Sequence, residues 1–327
     1  MKLTDLRTPA LVVDVDWLDY NLATMAAALP GARMRPHVKA HKCTALARRQ
    51  AEIGHRSFTC ATIREVEGMA KAGFCEDLLL ANEVVDARRL GAVDARVTLA
   101  VDSSETVEAA AAGGVKEVVI DVNVGLPRCG CMPEDAGKVA DRARKKGLTV
   151  RGVMGYEGHV VGLDDGATRS QLCEQSMQLL LSAHGLVGGE LISAGGTGTY
   201  LCNTWATEIQ AGSYALMDTT YAKLGLPFRQ ALSVLATVIS VSPAYAVADC
   251  GLKSFGMDHG NPSMDKAMVL FCSDEHTTFV PETPVKVGDR VRVWPAHIDP
   301  TIAYHERMHV VQGESVAETW AVDLRGW

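Results

Sequence analysis

Met34-Arg35-Pro36-His37-Val38-Lys39-Ala40-His41-Lys42 is the stretch on which the reading turns. Met34 to Val38 reads as a strand, and Lys39 to Lys42 as a basic turn at its carboxyl end. A helical pattern, Thr44 to Glu52, follows at once. Beyond it the rhythm repeats. Candidate strands are Ser57 to Cys60, Asp77 to Ala81, Arg96 to Val101, Glu117 to Asp121, Thr149 to Met154, Leu191 to Ala194 and Glu208 to Gln210. Candidate helices between them include Ile63 to Lys71, Ser104 to Ala112, Pro133 to Lys145 and Ala167 to Ala183. Strands separated by helices imply right-handed crossovers and a parallel sheet. Eight such units close a (β/α)8 barrel within about 200–250 residues. An open doubly wound sheet shares the alternation and stays open at this point.

After about Leu232 the texture changes. Ser233 to Ser242, Ala267 to Phe271, Pro284 to Val293 and Met308 to Val311 are strand-like, with Gly, Pro and Asp between them and no convincing helix. The expected fold is therefore α/β, a (β/α)8 TIM-type barrel followed by a smaller all-β domain. We place the barrel at 1–230 and the β-domain at 231–327, with the first strand of the chain open to joining the β-domain.

Composition bounds what such a chain does. Of its 327 residues 47% are hydrophobic and 22% charged, which fits a globular protein and excludes collagen-like or low-complexity chains. The net charge of -7, without a basic run, argues against nucleic acid as a partner. No apolar stretch approaches the length of a membrane span, and Met1 to Arg7 carries charges where a secretory signal needs an apolar run. The nine cysteines are odd in number and contain no Cys-x-x-Cys pair, as expected of reduced thiols in a cytoplasm.

In a barrel, chemistry sits at the carboxyl ends of the strands. Lys39 stands at the first such end, where neighbouring positive charge could depress its pKa for Schiff-base chemistry; a solvated basic turn is the plainer alternative. Ser193-Ala194-Gly195-Gly196-Thr197-Gly198-Thr199 follows the seventh strand and Gln210-Ala211-Gly212-Ser213-Tyr214 the eighth. Glycines there let backbone amides approach an anion, and barrels often bind phosphate at this point. Arg128 follows the fifth strand, and Tyr156 and His159 the sixth, on the same rim as Lys39.

Taken together, Thr8-Pro9-Ala10-Leu11-Val12-Val13-Asp14, the RPHVKAHK run, the Gly-Gly-Thr turn and Glu208-Ile209-Gln210-Ala211-Gly212-Ser213-Tyr214 resemble the fold-type III pyridoxal-phosphate enzymes. Within them the chain is most similar to the D-threonine aldolase and D-serine dehydratase group. The resemblance implies an alanine racemase-like barrel plus β-domain, with Lys39 as the cofactor lysine. It also implies Arg128 against the cofactor's phenolate oxygen, Tyr156 near the ring nitrogen, and Gly196, Thr197 and Tyr214 as phosphate neighbours, with Gly195, Gly212 and Ser213 also among the cofactor-binding residues. Racemases of this fold carry an Arg near the ring nitrogen where this chain has Gln210, so a racemase is disfavoured. A homodimer is implied, one subunit's β-domain facing the other's barrel.

The same resemblance points to Pro295-Ala296-His297-Ile298-Asp299-Pro300 as a metal site. Read as a strand, it puts His297 and Asp299 on one face, able to grip one ion. The Asp favours manganese or magnesium where a Cys would favour zinc, and the His keeps zinc open. His305-Glu306-Arg307-Met308-His309 matches the H-E-x-x-H zinc-protease motif. That motif needs a helix, and these residues read as a strand, where positions four apart are about 13 Å distant. We read the match as coincidence.

The resulting expectation is a metal-assisted, pyridoxal-phosphate-dependent lyase. It would cleave a D-3-hydroxy amino acid of the D-threonine type to glycine and an aldehyde, with His159 or a metal-bound hydroxide as base. Alternatives are a 3-hydroxy-D-aspartate aldolase and a dehydratase acting on D-serine or 3-hydroxyaspartate. Dehydratases of the group typically carry His-x-Cys, so His-x-Asp leans toward aldol cleavage. A non-catalytic cofactor-binding protein is the rival from another class, and the β-domain with its ion pair argues against it.

Overall fold

The computed structural model describes residues 1–327. Its strands are β1 (Ala10–Asp14), β2 (Phe58–Cys60), β3 (Leu78–Leu80), β4 (Val97–Val101), β5 (Glu117–Asp121), β6 (Thr149–Met154), β7 (Leu191–Ala194) and β8 (Glu208–Ile209), followed by β9 (Leu232–Val241), β10 (Ala246–Ala248), β11 (Ser263–Met264), β12 (Ala267–Cys272), β13 (Thr277–Pro281), β14 (Arg290–Trp294), β15 (Arg307–Gln312) and β16 (Ser315–Ala321). Two compact units emerge from the contacts. One comprises Met1–Thr24, Ala40–Ala45 and Ser213–Arg325; the other comprises Met25–Lys39, Leu46–Gly212 and Gly326–Trp327.

In the barrel unit, β2 to β8 lie in sequence order in one sheet, every neighbouring pair parallel. Leu79, Ala100, Val119 and Met154, one from each of β3 to β6, pack into a single buried cluster. Strands β2, β3 and β4 are buried at every position, as expected where helices cover a parallel sheet. Sequence-encoded caps start several of those helices. Thr62 Oγ1 accepts from the Glu65 amide, Ser103 Oγ from Thr106, and Asp165 Oδ2 from Thr168.

Met34 to Val38 is not a regular strand, which corrects the sequence expectation. Single parallel bridges join Met34 to Ile209 and His37 to Thr59, so the segment still closes the barrel between β8 and β2. The Arg35 and His37 amides donate to Ile209 and Ala211, and Pro36 accepts from Thr59. Pro36 has no N–H and interrupts the ladder. The chain then winds into a 3-10 turn, Val38–Ala40, that carries Lys39. Closure by this segment excludes the open doubly wound sheet.

In the other unit, β1 lies between β9 and β15, antiparallel to the first and parallel to the second, in a nine-stranded sheet. Leu3, Leu6, Ala10, Val12, Leu235 and Val311 form a core cluster there. This region was expected to lack helices, and it contains one, Ile298–Tyr304. Pro300 sits in its first turn, where a missing N–H costs nothing.

Candidate active site and metal centre

All parallel strands of the barrel end on one rim, so Lys39, Arg128, Tyr156, Gly196 and Gln210 share it. The Arg128 guanidinium lies 5.4 Å from the centre of the Tyr156 ring. The ring also approaches Gly196, where an added Cβ would sit 3.6 Å from Tyr156 Cε2 and 3.3 Å from Val161 Cγ1. Gly125, with φ of +123°, makes room for His159: a Cβ there would fall 2.8 Å from the imidazole Cε1. The Lys39 amide donates to His37 Nδ1 at 3.4 Å. Sequence reasoning missed the acids beside Arg128. Burial first, and then the Glu83 carboxylate, hold the Asp121 carboxyl well above its ordinary range.

The glycine turn is built around another residue that sequence reasoning passed over. Glu157 is fully buried. Its carboxylate accepts from the Gly195 amide at 3.2 Å, Thr199 Oγ1 at 2.8 Å and Asn203 Nδ2 at 3.3 Å. Gly196 donates to Thr199 Oγ1 at 3.1 Å. The Gly195 and Gly196 amides are thus engaged within the turn. Only glycine fits at 198, where a Cβ would lie 1.7 Å from the Val161 carbonyl oxygen. A cationic Lys39 and Arg128, an aromatic Tyr156 and a close glycine turn at one barrel end suit a flat, anionic cofactor.

Beneath Gln210 runs a buried polar chain. Gln210 Nε2 lies 2.8 Å from Ser193 Oγ, which lies 2.6 Å from Glu208 Oε1. Arg35 Nε donates to that same oxygen at 2.8 Å and Arg35 Nη2 to Asp77 at 2.9 Å. Arg151 adds two bonds to Asp77, at 2.8 and 3.0 Å, and one to Glu190. Burial pulls the Arg35 guanidinium down, but Glu208 and Asp77 outweigh it and hold the group above its ordinary value. The second recognised turn residue, Tyr214, is fully buried and packs on Phe228 with ring centres 5.7 Å apart. It lies with Ser213 in the 3-10 turn Ser213–Ala215.

His297 and Asp299 do meet, though not on a strand. His297 is the N-cap of the helix Ile298–Tyr304, and Asp299 lies in its first turn. His297 Nε2 is 3.6 Å from Asp299 Oδ2. That separation suits two donors on one ion with bonds of about 2.1 Å. Asp258 Oδ2 lies 2.6 Å from His297 Nδ1. Asp258, His259 and His297 form a cluster of donor atoms, all within 4.8 Å of one another. The short Asp258 bond engages Nδ1, so an ion taken by His297 would meet Nε2, with Asp258 as its orienting partner. His259 stacks on His297, ring centres 4.1 Å apart. The loop holding Asp258 and His259 is pinned through Gly256, whose amide donates to Thr301 Oγ1. Asp218 accepts from the Tyr221 and Ile298 amides, and burial pushes its carboxyl up to about 6 despite them. This donor set fits a hard divalent ion.

The H-E-x-x-H match dissolves. His305 Nε2 bonds the Ser254 carbonyl and His309 Nδ1 pairs with Thr319 Oγ1. The helix ends at Tyr304 and a strand begins at Arg307. All nine cysteines are free thiols, and no helix is long and apolar enough to cross a membrane.

Comparison with known families agrees with this fold. Residues 13–220 match the model of the alanine racemase N-terminal domain, and residues 231–311 that of a serine dehydratase domain. The chain therefore belongs to the alanine racemase-like, fold-type III family of pyridoxal-phosphate enzymes. It is 31% identical to 3-hydroxy-D-aspartate aldolase of Paracoccus denitrificans (strain Pd 1222), across 100% of this chain and 94% of that protein. The crystal structure of D-threonine aldolase from Filomicrobium marinum matches with a TM-score of 0.94 at 31% identity, covering 99% of this chain and 97% of that one. D-threo-3-hydroxyaspartate dehydratase of Delftia sp. (strain HT23) is 27% identical across 99% of both chains.

Proposed function

We propose that this protein is a divalent-metal-assisted, pyridoxal-phosphate-dependent lyase that splits a D-3-hydroxy amino acid into glycine and an aldehyde. The observation that carries the reading is the metal pair: an Asp, not a Cys, stands 3.6 Å from His297 Nε2. An oxygen ligand selects a hard ion, manganese or magnesium with zinc as the alternative, and a hard ion suits polarising a hydroxyl.

Lys39 would hold the cofactor covalently and exchange it for the substrate amine. Arg128 would contact its phenolate oxygen, Tyr156 and Gln210 would lie toward its ring nitrogen, and Thr197, Gly212, Ser213 and Tyr214 would stand on the phosphate side, with Gly195 and Gly196 giving space for close approach and not amide donors. Bound pyridoxal phosphate supplies the electron sink for the Cα–Cβ electron pair. His297 and Asp299 would hold the ion, which would lower the pKa of the 3-hydroxyl. His159 would remove that proton; with cleavage of the Cα–Cβ bond Cβ would leave as an aldehyde, and a proton delivered to Cα would complete glycine. A homodimer is part of this reading, supported by the exposed Met268, Leu270 and Phe271 on β12. So is a cytoplasmic setting, supported by the free cysteines.

The dehydratase relative keeps one competitor in view: expulsion of the hydroxyl with release of ammonia and a keto acid. Product identity separates the two. Protein supplied with pyridoxal phosphate and manganese, given D-threonine and D-3-hydroxyaspartate, should yield glycine and an aldehyde. Stoichiometric ammonia would overturn the aldolase reading. Chelation should stop turnover while leaving the visible cofactor band intact.

A further inference from the structure

Three hydrogen bonds fix the direction of one side-chain amide. Glu208 Oε1 is an acceptor that already receives Arg35 Nε at 2.8 Å. Ser193 has a single hydroxyl proton, and at 2.6 Å from Glu208 Oε1 that proton goes to the carboxylate. Ser193 Oγ is left only as an acceptor for the group above it. That group, 2.8 Å away, must be a donor, so the Gln210 amide faces Ser193 with its nitrogen. The opposite orientation would set two acceptor oxygens against each other with no proton between them. A glutamine amide commonly has either orientation open to it. Here the carboxylate decides, and it is held in turn by Arg35, whose other nitrogen binds Asp77 beside Arg151. Ser193, Glu208 and Arg35 are all buried.

We infer that Ser193, oriented by Glu208, is a positioning residue that turns Gln210 so its Oε1 is the atom offered to the ring nitrogen of the cofactor. The inference rests on the cofactor assignment under the proposed function. An amide oxygen can only accept, so the ring nitrogen must carry a proton to bond with it. A protonated ring withdraws electrons from the breaking bond more strongly than a neutral one. An Arg at the same position could only donate and would select the unprotonated ring. Ser193 and Glu208 touch neither cofactor nor substrate; they act through Gln210.

The test is the nitrogen itself. Protein reconstituted with pyridoxal phosphate labelled with nitrogen-15 in the ring should show the shift of a protonated pyridinium at neutral pH. Ser193→Ala frees the amide to turn, and the ring pKa should fall by about one unit, a tenfold drop in the ratio of protonated to neutral ring, the size expected for one hydrogen bond. Gln210→Arg should give the neutral-nitrogen shift outright, and carries the same test if Ser193→Ala does not fold. A general loosening of the barrel would move neither signal in this ordered way. A neutral nitrogen in the unmodified protein, or an unchanged shift in Ser193→Ala that folds, overturns the inference while the cofactor assignment stands. Failure of the unmodified protein to take up the cofactor overturns both.

Discussion

Replacing Asp77 with Asn would remove one charge from the middle of a buried network while keeping the side chain's shape. Asp77 Oδ1 accepts from Arg151 at 2.8 Å, and Oδ2 accepts from Arg35 at 2.9 Å and from Arg151 at 3.0 Å. The side chains of Arg35 and Arg151 are only 1% and 5% exposed. Burial alone would raise the carboxyl's pKa, but the bonds from Arg151 and Arg35 outweigh it and hold it down at about 2 against an ordinary 3.8. That depression corresponds to about 2 kcal/mol of stability at neutral pH. Because the folded value lies below the unfolded one, the contribution is complete above about pH 4 and drains away as pH falls toward 2. Asp77→Asn should cost more than this, about 3–5 kcal/mol, because two buried guanidiniums lose their shared anion. Arg35 keeps Glu208 and Arg151 keeps Glu190, which places the cost nearer the lower figure. Urea unfolding followed by circular dichroism at pH 7, 5 and 3 measures both quantities. The gap between the two proteins should be full at pH 7 and narrow by pH 3. A cost below about 1 kcal/mol, or a gap indifferent to pH, would show that the network is screened and the reasoning wrong.

Lys39→Ala should lose the visible cofactor band and the lysine labelled by borohydride reduction; labelling of Lys42 or Lys253 in the parent protein would move the assignment. Gly196→Val forces a side chain into a gap 3.3 Å from Val161 and should weaken cofactor affinity, read by fluorescence titration, more than it lowers the melting temperature. Asp299→Ala should lose bound metal and turnover together by elemental analysis and product assay. His305→Ala and His309→Ala should keep both, since those rings bond Ser254 and Thr319.

The alternation of β-branched runs with Ala- and Glu-rich stretches from residue 44 onward was enough to place β5, β6 and β7 and the helices Thr44–Glu52, Ile63–Lys71 and Ser104–Ala112. These elements are written locally, in periodicity and in caps such as Thr62 and Ser103, so a linear reading recovers them. That Lys39, Arg128, Tyr156 and Gly196 share one rim was legible too, because a barrel's rim follows from strand ends. What the chain does not write locally, the tertiary structure decided. Met34 to Val38 closes the barrel through two bridges that depend on partners near residues 59 and 209. Strand β1 pairs with β9 and β15, more than two hundred residues away. The helix after His297 and the approach of Asp258 to its ring arise from a loop packed on that helix through Gly256 and Thr301. Glu157, Ser193 and Glu208 looked like ordinary polar residues in strands and loops. A buried carboxylate acquires its meaning from the donors that surround it, and those donors are assembled only when distant segments are brought into contact.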